Sequence, residues 1–340
     1  MMNWIKKLIM EVITEERLDE KLITYNNRAP YGQVVFLAGG AGSGKGFAGS
    51  NFLDSAGFKV RDVDEMKKQL QILNRLGKIT VNDIIKKYGK RIKPVDLEQI
   101  TKVFNTELPK GGKQTLRNLN LKNPDHVSVL HNLVKAMGIK DRSLEYMLAA
   151  TNNPETLPNI MFDITAKDLS DITDILPMLK AAGYKSKNIH LTWILTSFVV
   201  AMKNNKTRDR MVPEDTLLKT HEGAANTVWS LVTRALPKGM DGRVDVILNN
   251  PKWTVFYQDS QGKDVTRDQE KVKTHMDLDA KGNLKSTRST ETKETKFVAG
   301  FKSLTLKDAG GSIYPESEWK NRLYGWVKNN APDAITKNMK

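Results

Sequence analysis

The sequence predicts an α/β fold in which a parallel sheet of about five strands is flanked by helices. Short apolar runs rich in β-branched residues recur along the chain, and helical patterns lie between most of them. The runs are almost continuously apolar, as expected of strands that are covered on both faces. A glycine-rich turn joins the first run to a helical pattern. The predicted strands are residues 34–38, 58–63, 160–164, 189–196 and 244–248.

The chain divides into three predicted parts. Residues 1–32 begin with apolar side chains at helical spacing up to residue 23, which predicts an N-terminal amphipathic helix. Residues 33–250 hold the five predicted strands, and the interval from about 70 to 157 is too long for one crossover, so we expect a mainly helical insertion there. Residues 251–340 combine short β-like runs, polar turns and a final helical pattern, which predicts a β-hairpin and helix extension.

Composition limits the function classes. The chain of 340 residues has 39% hydrophobic residues, 27% charged residues and no cysteine. The lack of cysteine excludes disulfides, thiolate metal sites and a cysteine nucleophile, and it fits a reducing compartment, so we expect a cytoplasmic location. The longest apolar stretch, residues 189–202, is shorter than the roughly 20 residues that span a bilayer, so no membrane partner is expected.

The net charge of +15 favours anionic partners. A field of this size attracts polyanions such as nucleic acid and nucleotides without choosing among them. The basic residues are scattered and form no arginine-rich tract. Nucleic acid is therefore one partner class that the charge allows, and a lysine-rich soluble surface is the alternative.

A phosphate-binding motif follows the first predicted strand. Glycines at such a turn let backbone N–H groups converge on phosphate oxygens, and the lysine supplies a cation to the β- and γ-phosphates. The context of strand, glycine-rich turn and helix is that of a P-loop, so the sequence predicts a P-loop NTPase-type fold that binds ATP. The predicted nucleotide-binding residues are Gly39, Gly40, Ala41, Gly42, Ser43, Gly44, Lys45, Gly46 and Phe47.

The motif departs from the general P-loop at one position. Gly46 stands where a serine or threonine hydroxyl normally coordinates Mg²⁺. Mg²⁺ must then be held through phosphates, waters and carboxylates. The segment Gly-Ser-Gly-Lys-Gly is similar to the phosphate loop of adenylate kinases, which also lack that hydroxyl, although Phe47 departs from that family.

A dinucleotide-binding fingerprint is a competing interpretation of the same stretch. Gly44, Gly46 and Gly49 satisfy G-x-G-x-x-G, and Asp62 or Asp64 lies near the place of a ribose-binding acid. That fingerprint begins immediately after its strand, whereas residues 39–43 intervene here. The offset favours the P-loop.

Two acids follow predicted strands and are candidate site residues. Asp64 comes at the end of the second strand, where a carboxylate could accept a proton from a substrate hydroxyl or could simply cap the next helix. Asp163 follows an apolar run as in a Walker B element and could hold Mg²⁺ through water, or could cap the following segment.

A cluster of cations follows the fourth predicted strand. Lys203, Lys206, Arg208 and Arg210 precede Pro213, in the part of a P-loop core where a lid usually lies. Guanidinium groups stabilise the charge that spreads over a transferring phosphoryl group. A basic, solvated helix end is the alternative interpretation.

These elements together resemble the zeta-toxin and polynucleotide-kinase branch of P-loop kinases. The resemblance rests on residues 39–45, on the acid-x-acid element of residues 62–67, and on residues 206–213 with Thr220 and His221. It covers about residues 33–250 without the insertion. The resemblance implies that Asp64 is the catalytic base, that Lys45 binds the phosphates, and that Arg208 or Arg210 is the lid arginine.

The resulting prediction is an ATP- and Mg²⁺-dependent kinase. Its acceptor would be a hydroxyl compound of the zeta-toxin type, a nucleotide-sugar or another small molecule, and a protein inhibitor is a further partner to consider. A nucleic-acid 5′-hydroxyl kinase is the alternative that the charge of +15 supports. A structural protein that binds nucleotide without catalysis is the other, since Gly46 and the large additions permit it.

Overall fold

The computed structural model describes residues 22–25, 31–55, 57–73, 79–108, 114–148, 156–208, 211–311 and 316–339. The N-terminal helix predicted within residues 1–32 lies largely outside these described residues. Among the described residues, Ile23 forms a parallel bridge to Leu53, and Tyr25 is buried. Ile23 and Tyr25 are therefore packed on the core.

Five parallel strands form the centre of the main sheet. They are β1 (Val34–Ala38), β2 (Phe58–Asp62), β3 (Asn159–Ile164), β4 (Ile189–Leu195) and β5 (Val244–Leu248). Their order across the sheet is β5, β4, β1, β3, β2, so the strand before the glycine-rich turn lies in the middle. Every residue of β1 is buried, which explains its continuously apolar sequence. The predicted fold class is confirmed.

The C-terminal part adds further strands, and β7, β8 and β10 among them extend this sheet at its two edges. The added strands are β6 (Val255–Phe256), β7 (Thr266–Leu278), β8 (Leu284–Lys296), β9 (Val298–Gly300) and β10 (Lys302–Lys307). β10 lies antiparallel beside β5, whereas β7 lies parallel beside β2 and pairs antiparallel with β8. β6 and β9 form a separate two-stranded sheet. The parallel core therefore has a C-terminal β extension, as predicted.

Helices cover the sheet and form the insertion. The described α-helices are α1 (Lys45–Asn51), α2 (Val63–Leu73), α3 (Val81–Tyr88), α4 (Pro94–Lys102), α5 (Pro124–Ala136), α6 (Ile139–Leu148), α7 (Ser170–Thr173), α8 (Leu176–Ala181), α9 (Phe198–Thr207), α10 (Glu214–Thr233) and α11 (Glu316–Asn330). Shorter turns are the 3₁₀ segments Gly89–Arg91, Leu116–Asn118, Ser186–Asn188, Pro251–Trp253, Pro332–Ala334 and Lys337–Met339, and the π-helix Val103–Glu107. None of the described helices has the length and apolar character needed to cross a membrane.

The two faces of the sheet bury different helices because side chains alternate along each strand. On one face, Phe36 of β1 stacks on Phe162 of β3 with ring centres 5.1 Å apart, and α10 adds Trp229 to the same cluster. On the other face, Leu37 packs in a cluster with Phe52, which follows α1. The glycine-rich turn between β1 and α1 therefore lies on a rigid, double-sided scaffold.

The helical insertion has its own apolar cluster. Helices α3 to α6 pack around residues such as Leu133, and the hairpin β7–β8 contributes Met276 to the same cluster. Helix α5 begins where the Asn123 side chain accepts a hydrogen bond from the Asp125 N–H, and it is followed by Gly138 with φ +68°. This cluster joins residues from two of the three predicted parts of the chain. The division into those parts therefore remains a prediction.

Candidate active site

The glycine-rich loop is shaped by contacts that only glycine permits. Gly42 and Gly44 have φ angles of +73° and +77°, in the left-handed region that favours glycine. A Cβ on Gly44 would lie 2.1 Å from Asn249 Nδ2, and a Cβ on Gly42 would lie 2.5 Å from the Ala201 carbonyl oxygen. Both glycines are therefore required by backbone conformation and by the close approach of neighbouring elements.

Side chains at the ends of β4 and β5 hold the loop through its carbonyl groups. The Ser43 carbonyl accepts hydrogen bonds from Thr196 Oγ1 and from Asn249 Nδ2, each at 2.7 Å. The Gly42 carbonyl accepts one from Asn204 Nδ2 of α9 at 3.0 Å. The Ser43 hydroxyl is buried and has no hydrogen-bond partner among the described residues. A buried donor of this kind, within a loop fixed by its carbonyls, fits an anionic ligand such as phosphate.

Lys45 lies between the loop and β3. Its ammonium group donates a hydrogen bond to the Gly39 carbonyl at 2.7 Å and lies 3.5 Å from Asp163 Oδ1. The side chain is only 12% exposed, so its charge acts in a partly dehydrated region. The cation predicted to bind phosphates is thus already directed at the loop.

Gly46 and Phe47 lie in the first turn of helix α1 and are exposed. A Cβ on Gly46 would meet no atom within 4 Å, so packing does not require glycine there. The Phe47 ring contacts Phe52 and Phe256 edge-on, at centroid distances of 5.4 Å and 6.1 Å. The N–H groups of the first helical turn have no partner within a helix, which is the property that P-loops use for phosphate.

Asp62 and Asp163 lie opposite each other at the carboxyl edge of the sheet. They are register partners on β2 and β3. Burial raises the pKa of Asp62, and the nearby negative charge of Asp64 adds to the effect. Burial also raises the pKa of Asp163 to about 7, although the charge of Lys45 acts against it. The two acids are therefore held in a low-dielectric region beside the loop.

These acids could assist Mg²⁺ but cannot enclose it. Within the described residues, no group of three or more histidine and carboxylate side chains could hold a metal ion. Asp163 and Asp62 together offer two carboxylates, which suits an ion held mainly by phosphates and water. This arrangement agrees with the missing hydroxyl at Gly46.

Asp64 lies on a helix rather than on a strand edge. The sequence predicts a strand up to residue 63, but β2 ends at Asp62 and α2 begins at Val63. The reason is a cap: Asp62 Oδ1 accepts hydrogen bonds from the N–H groups of Asp64 and Glu65, at 2.8 Å and 3.1 Å. A cap on helix α2 was the alternative role for Asp64, and Asp62 therefore has that role instead.

A cleft of about 340 Å³ brings Asp64 and Arg208 together. Asp64 Oδ1 lies 2.9 Å from Lys67 Nζ, and Lys67 also lies 3.2 Å from His131 Nδ1 of the insertion. Two leucines of the insertion, Leu121 and Leu130, complete one wall of the cleft. The other predicted lid arginine, Arg210, lies outside the described residues.

Several residues at the site escape prediction from sequence. Thr196, Asn204 and Asn249 hold the loop, yet none belongs to a recognised motif. The one signal available was a polar residue directly after a buried strand, which applies to Thr196 and Asn249. His131 belongs to no recognised motif either, yet it contacts Lys67, the lysine beside Asp64.

The fold and loop define the chain as an α/β protein of the P-loop NTPase type, with the loop after the central strand. No protein-family model and no curated protein matches it. A solved structure described as the PezAT chromosomal toxin–antitoxin system of Streptococcus pneumoniae is similar over 72% of this chain and 77% of that chain, with 12% identity and a TM-score of 0.36. Similarity at this level assigns neither a family nor a function.

Proposed function

We propose that this protein is an ATP-dependent kinase that transfers the γ-phosphate to a hydroxyl acceptor held in the cleft beside Asp64 and Arg208. The main support is one cluster of charges at the carboxyl edge of the sheet. Lys45 Nζ lies 3.5 Å from Asp163 Oδ1, and Asp163 is the register partner of Asp62. Asp62 Oδ1 in turn accepts a hydrogen bond from the Asp64 N–H at 2.8 Å, so these groups share one region. A cation on a phosphate loop beside a carboxylate-lined cleft suits phosphoryl transfer.

The proposed roles follow from these positions. The loop and Lys45 would bind the phosphates of ATP, and Arg208 would stabilise negative charge on the transferring group. Asp64 would accept the proton of the acceptor hydroxyl while the hydroxyl oxygen forms a bond to the γ-phosphorus. The bond from that phosphorus to the β–γ bridging oxygen would break, and ADP would leave. Mg²⁺ would neutralise phosphate charge when bound, and Asp163 and Asp62 would hold it through water.

The acceptor proposed first is a small molecule. A cleft of about 340 Å³ lies in the range of small-molecule pockets. Both charge signs line it: the acids are Asp62, Asp64 and Glu65, and the cations are Lys67, Lys68 and Arg208. A nucleotide-sugar would fit this description. A nucleic-acid 5′-hydroxyl is the second candidate, which the net charge of +15 favours.

Label transfer from γ-labelled ATP tests the proposal. Purified wild type, Lys45→Met and the control Lys187→Met would be incubated with Mg²⁺ and with pools of nucleotide-sugars, nucleosides or 5′-hydroxyl oligonucleotides. Lys187 is exposed just before β4, at the opposite end of the strand from the loop. We expect label on one pool with wild type and Lys187→Met but not with Lys45→Met. ATP binding without transfer to any pool or to water would instead favour a non-catalytic protein.

A further inference from the structure

Helix α10 contacts the phosphate loop at the backbone of Ala41. The Ala41 N–H donates a hydrogen bond to Thr220 Oγ1 at 3.0 Å, and His221 Nε2 lies 2.7 Å from the Ala41 carbonyl oxygen. Because a carbonyl only accepts, Nε2 carries the proton and donates it. The Thr220 hydroxyl in turn donates to the Leu217 carbonyl at 2.7 Å. Both backbone polar groups of Ala41 are thus bonded to adjacent residues of one helix.

The histidine ring also fixes the residue type before Ala41. A Cβ on Gly40 would lie 2.3 Å from the ring of His221, so glycine is required there by the helix and not by the turn. Burial lowers the pKa of His221, although its bond to Ala41 acts against that shift, so the ring stays neutral near pH 7. Phe198 packs edge-on against it at a centroid distance of 5.9 Å. The ring is therefore held in one orientation, with Nε2 at the Ala41 carbonyl and one edge against Phe198.

Helix α10 is itself fixed from behind. A Cβ on Gly223 would lie 2.6 Å from Lys167 Cγ and 2.8 Å from the Lys167 carbonyl oxygen, and Thr227 Oγ1 donates to that same carbonyl at 3.2 Å. The helix is thus held between the phosphate loop and the segment after β3. It cannot move away from Ala41 without losing contacts on both sides.

The same helix carries the chain out of the segment that contains Arg208. The ends of that segment are joined, since Asn205 Nδ2 donates to the Val212 carbonyl at 2.7 Å and Asn205 Oδ1 accepts from the Val212 N–H at 3.0 Å. Helix α10 begins at Glu214, directly after Pro213. The arginine segment and the phosphate loop are therefore attached to one rigid element.

We propose that Thr220 and His221 are positioning residues: they fix the backbone of Ala41 so that the rest of the loop keeps its phosphate-binding shape, and they link the segment of Arg208 to the bound nucleotide. The inference rests on the proposed binding of ATP phosphates by this loop. Neither side chain needs to touch the nucleotide. Their effect passes through the backbone of Ala41, because a loop that must be ordered on binding loses affinity relative to a preorganised one.

Substitutions on α10 test this directly. Thr220→Val removes both hydrogen bonds of the hydroxyl at nearly constant shape, Thr220→Ser restores them, and His221→Asn keeps a donor of a different reach. Thr233→Val is the matched control, because it removes a similar hydroxyl-to-carbonyl bond within the same helix, at the end away from the loop. ATP affinity would be measured by calorimetry, hydrogen exchange of the Ala41 amide by NMR, and folding by thermal unfolding.

We expect Thr220→Val to weaken ATP binding about tenfold and to speed exchange of the Ala41 amide at least tenfold, consistent with loss of a buried hydrogen bond. Thr220→Ser and Thr233→Val should stay within about twofold of wild type in both measurements. Wild-type ATP affinity and unchanged Ala41 protection in folded Thr220→Val would overturn the inference, as would equal losses in Thr233→Val. If Thr220→Val does not fold, His221→Asn with unchanged affinity and exchange is the overturning result.

The two levels of the proposal can be separated. Amide exchange at Ala41 reports on the contact with α10 whether or not any nucleotide binds. Failure of the wild type to bind ATP would therefore refute the proposed function. Unchanged exchange in Thr220→Val would refute the positioning role.

Discussion

The ammonium group of Lys45 lies 3.5 Å from the Asp163 carboxylate, where β3 meets the phosphate loop. Burial nevertheless raises the pKa of Asp163 from its ordinary value of 3.8 to about 7. Between about pH 4 and pH 7, the Asp163 carboxyl group holds a proton in the folded protein but not in the unfolded chain. The stabilising contribution of this carboxyl group is therefore fully present below about pH 4 and is lost as the pH rises towards 7.

Asp163→Asn should remove this pH dependence. Because the amide cannot ionise, we expect the variant to be more stable than wild type at pH 8 by about 1–3 kcal/mol and similar to it at pH 4. Urea unfolding at pH 4, 6 and 8 would measure the difference, with the exposed Asp215→Asn as control. A constant difference between the two proteins across this range would contradict the prediction.

Gly46 can be replaced where Gly44 cannot. Gly46→Ser places its Cβ in open space, whereas Gly44→Ser would have to adopt a φ of +77° and meet Asn249 at 2.1 Å. We expect Gly46→Ser to fold as well as wild type and to bind ATP at a lower Mg²⁺ concentration, because it supplies the hydroxyl that other P-loops use. We expect Gly44→Ser to lose at least about 1 kcal/mol of stability.

Thermal unfolding and ATP titrations at several Mg²⁺ concentrations would check the glycine pair. Equal stability of the two variants would show that the loop geometry described here is wrong. An unchanged Mg²⁺ requirement in a folded Gly46→Ser would mean that the ion does not approach this position.

Asp64→Asn tests the proposed base. Loss of the proton acceptor should lower the rate of phosphate transfer by about 10² or more, because general base catalysis contributes about that much. The ATP affinity should stay within about threefold of wild type, because Asp64 lies in the cleft beside the loop. Asp96→Asn is the matched control, since Asp96 is likewise an acid in the first turn of a helix. Steady-state transfer and ATP calorimetry separate the two effects. Full activity in Asp64→Asn would remove the residue from the mechanism.

Asp333 contributes to stability near the site. Its Oδ2 accepts hydrogen bonds from Ser197 Oγ at 2.8 Å and from the Phe198 N–H at 2.5 Å, so it satisfies the first turn of α9 from a distant part of the chain. We expect Asp333→Ala to destabilise the protein by about 1 kcal/mol, as helix-capping substitutions do. Denaturant unfolding would measure this against the exposed Asp174→Ala, and equal midpoints would contradict the capping role.

The parallel core could be predicted from the sequence because its strands are buried on both faces. Residues 34–38 are continuously apolar and residues 244–248 are apolar except for Asp245, and this pattern has few other solutions. The sequence predicts a C-terminal β-hairpin, but it does not predict that β7 and β8 join the core sheet. These strands are rich in threonine and charged residues, and their buried contacts come from a few positions such as Met276 and Leu284.

The candidate site could be predicted only in part, because some of its residues are far apart in the sequence. The loop and Lys45 lie within one short segment, so spacing along the chain revealed them. Asn249 bonds to Ser43 across 206 residues of sequence, and Thr220 meets Ala41 across 179. Contacts of this kind depend on where strand ends and helices converge, which local patterns do not encode.

The order of strands has a consequence for how the chain is made. β10 pairs beside β5 and β7 beside β2, so both borders of the central sheet are supplied by residues that follow position 250. During translation the five core strands leave the ribosome before any of these partners. The unpaired edges of β2 and β5 are then exposed to other chains until the final third of synthesis is under way. A chaperone that acts on nascent chains would bind at these edges.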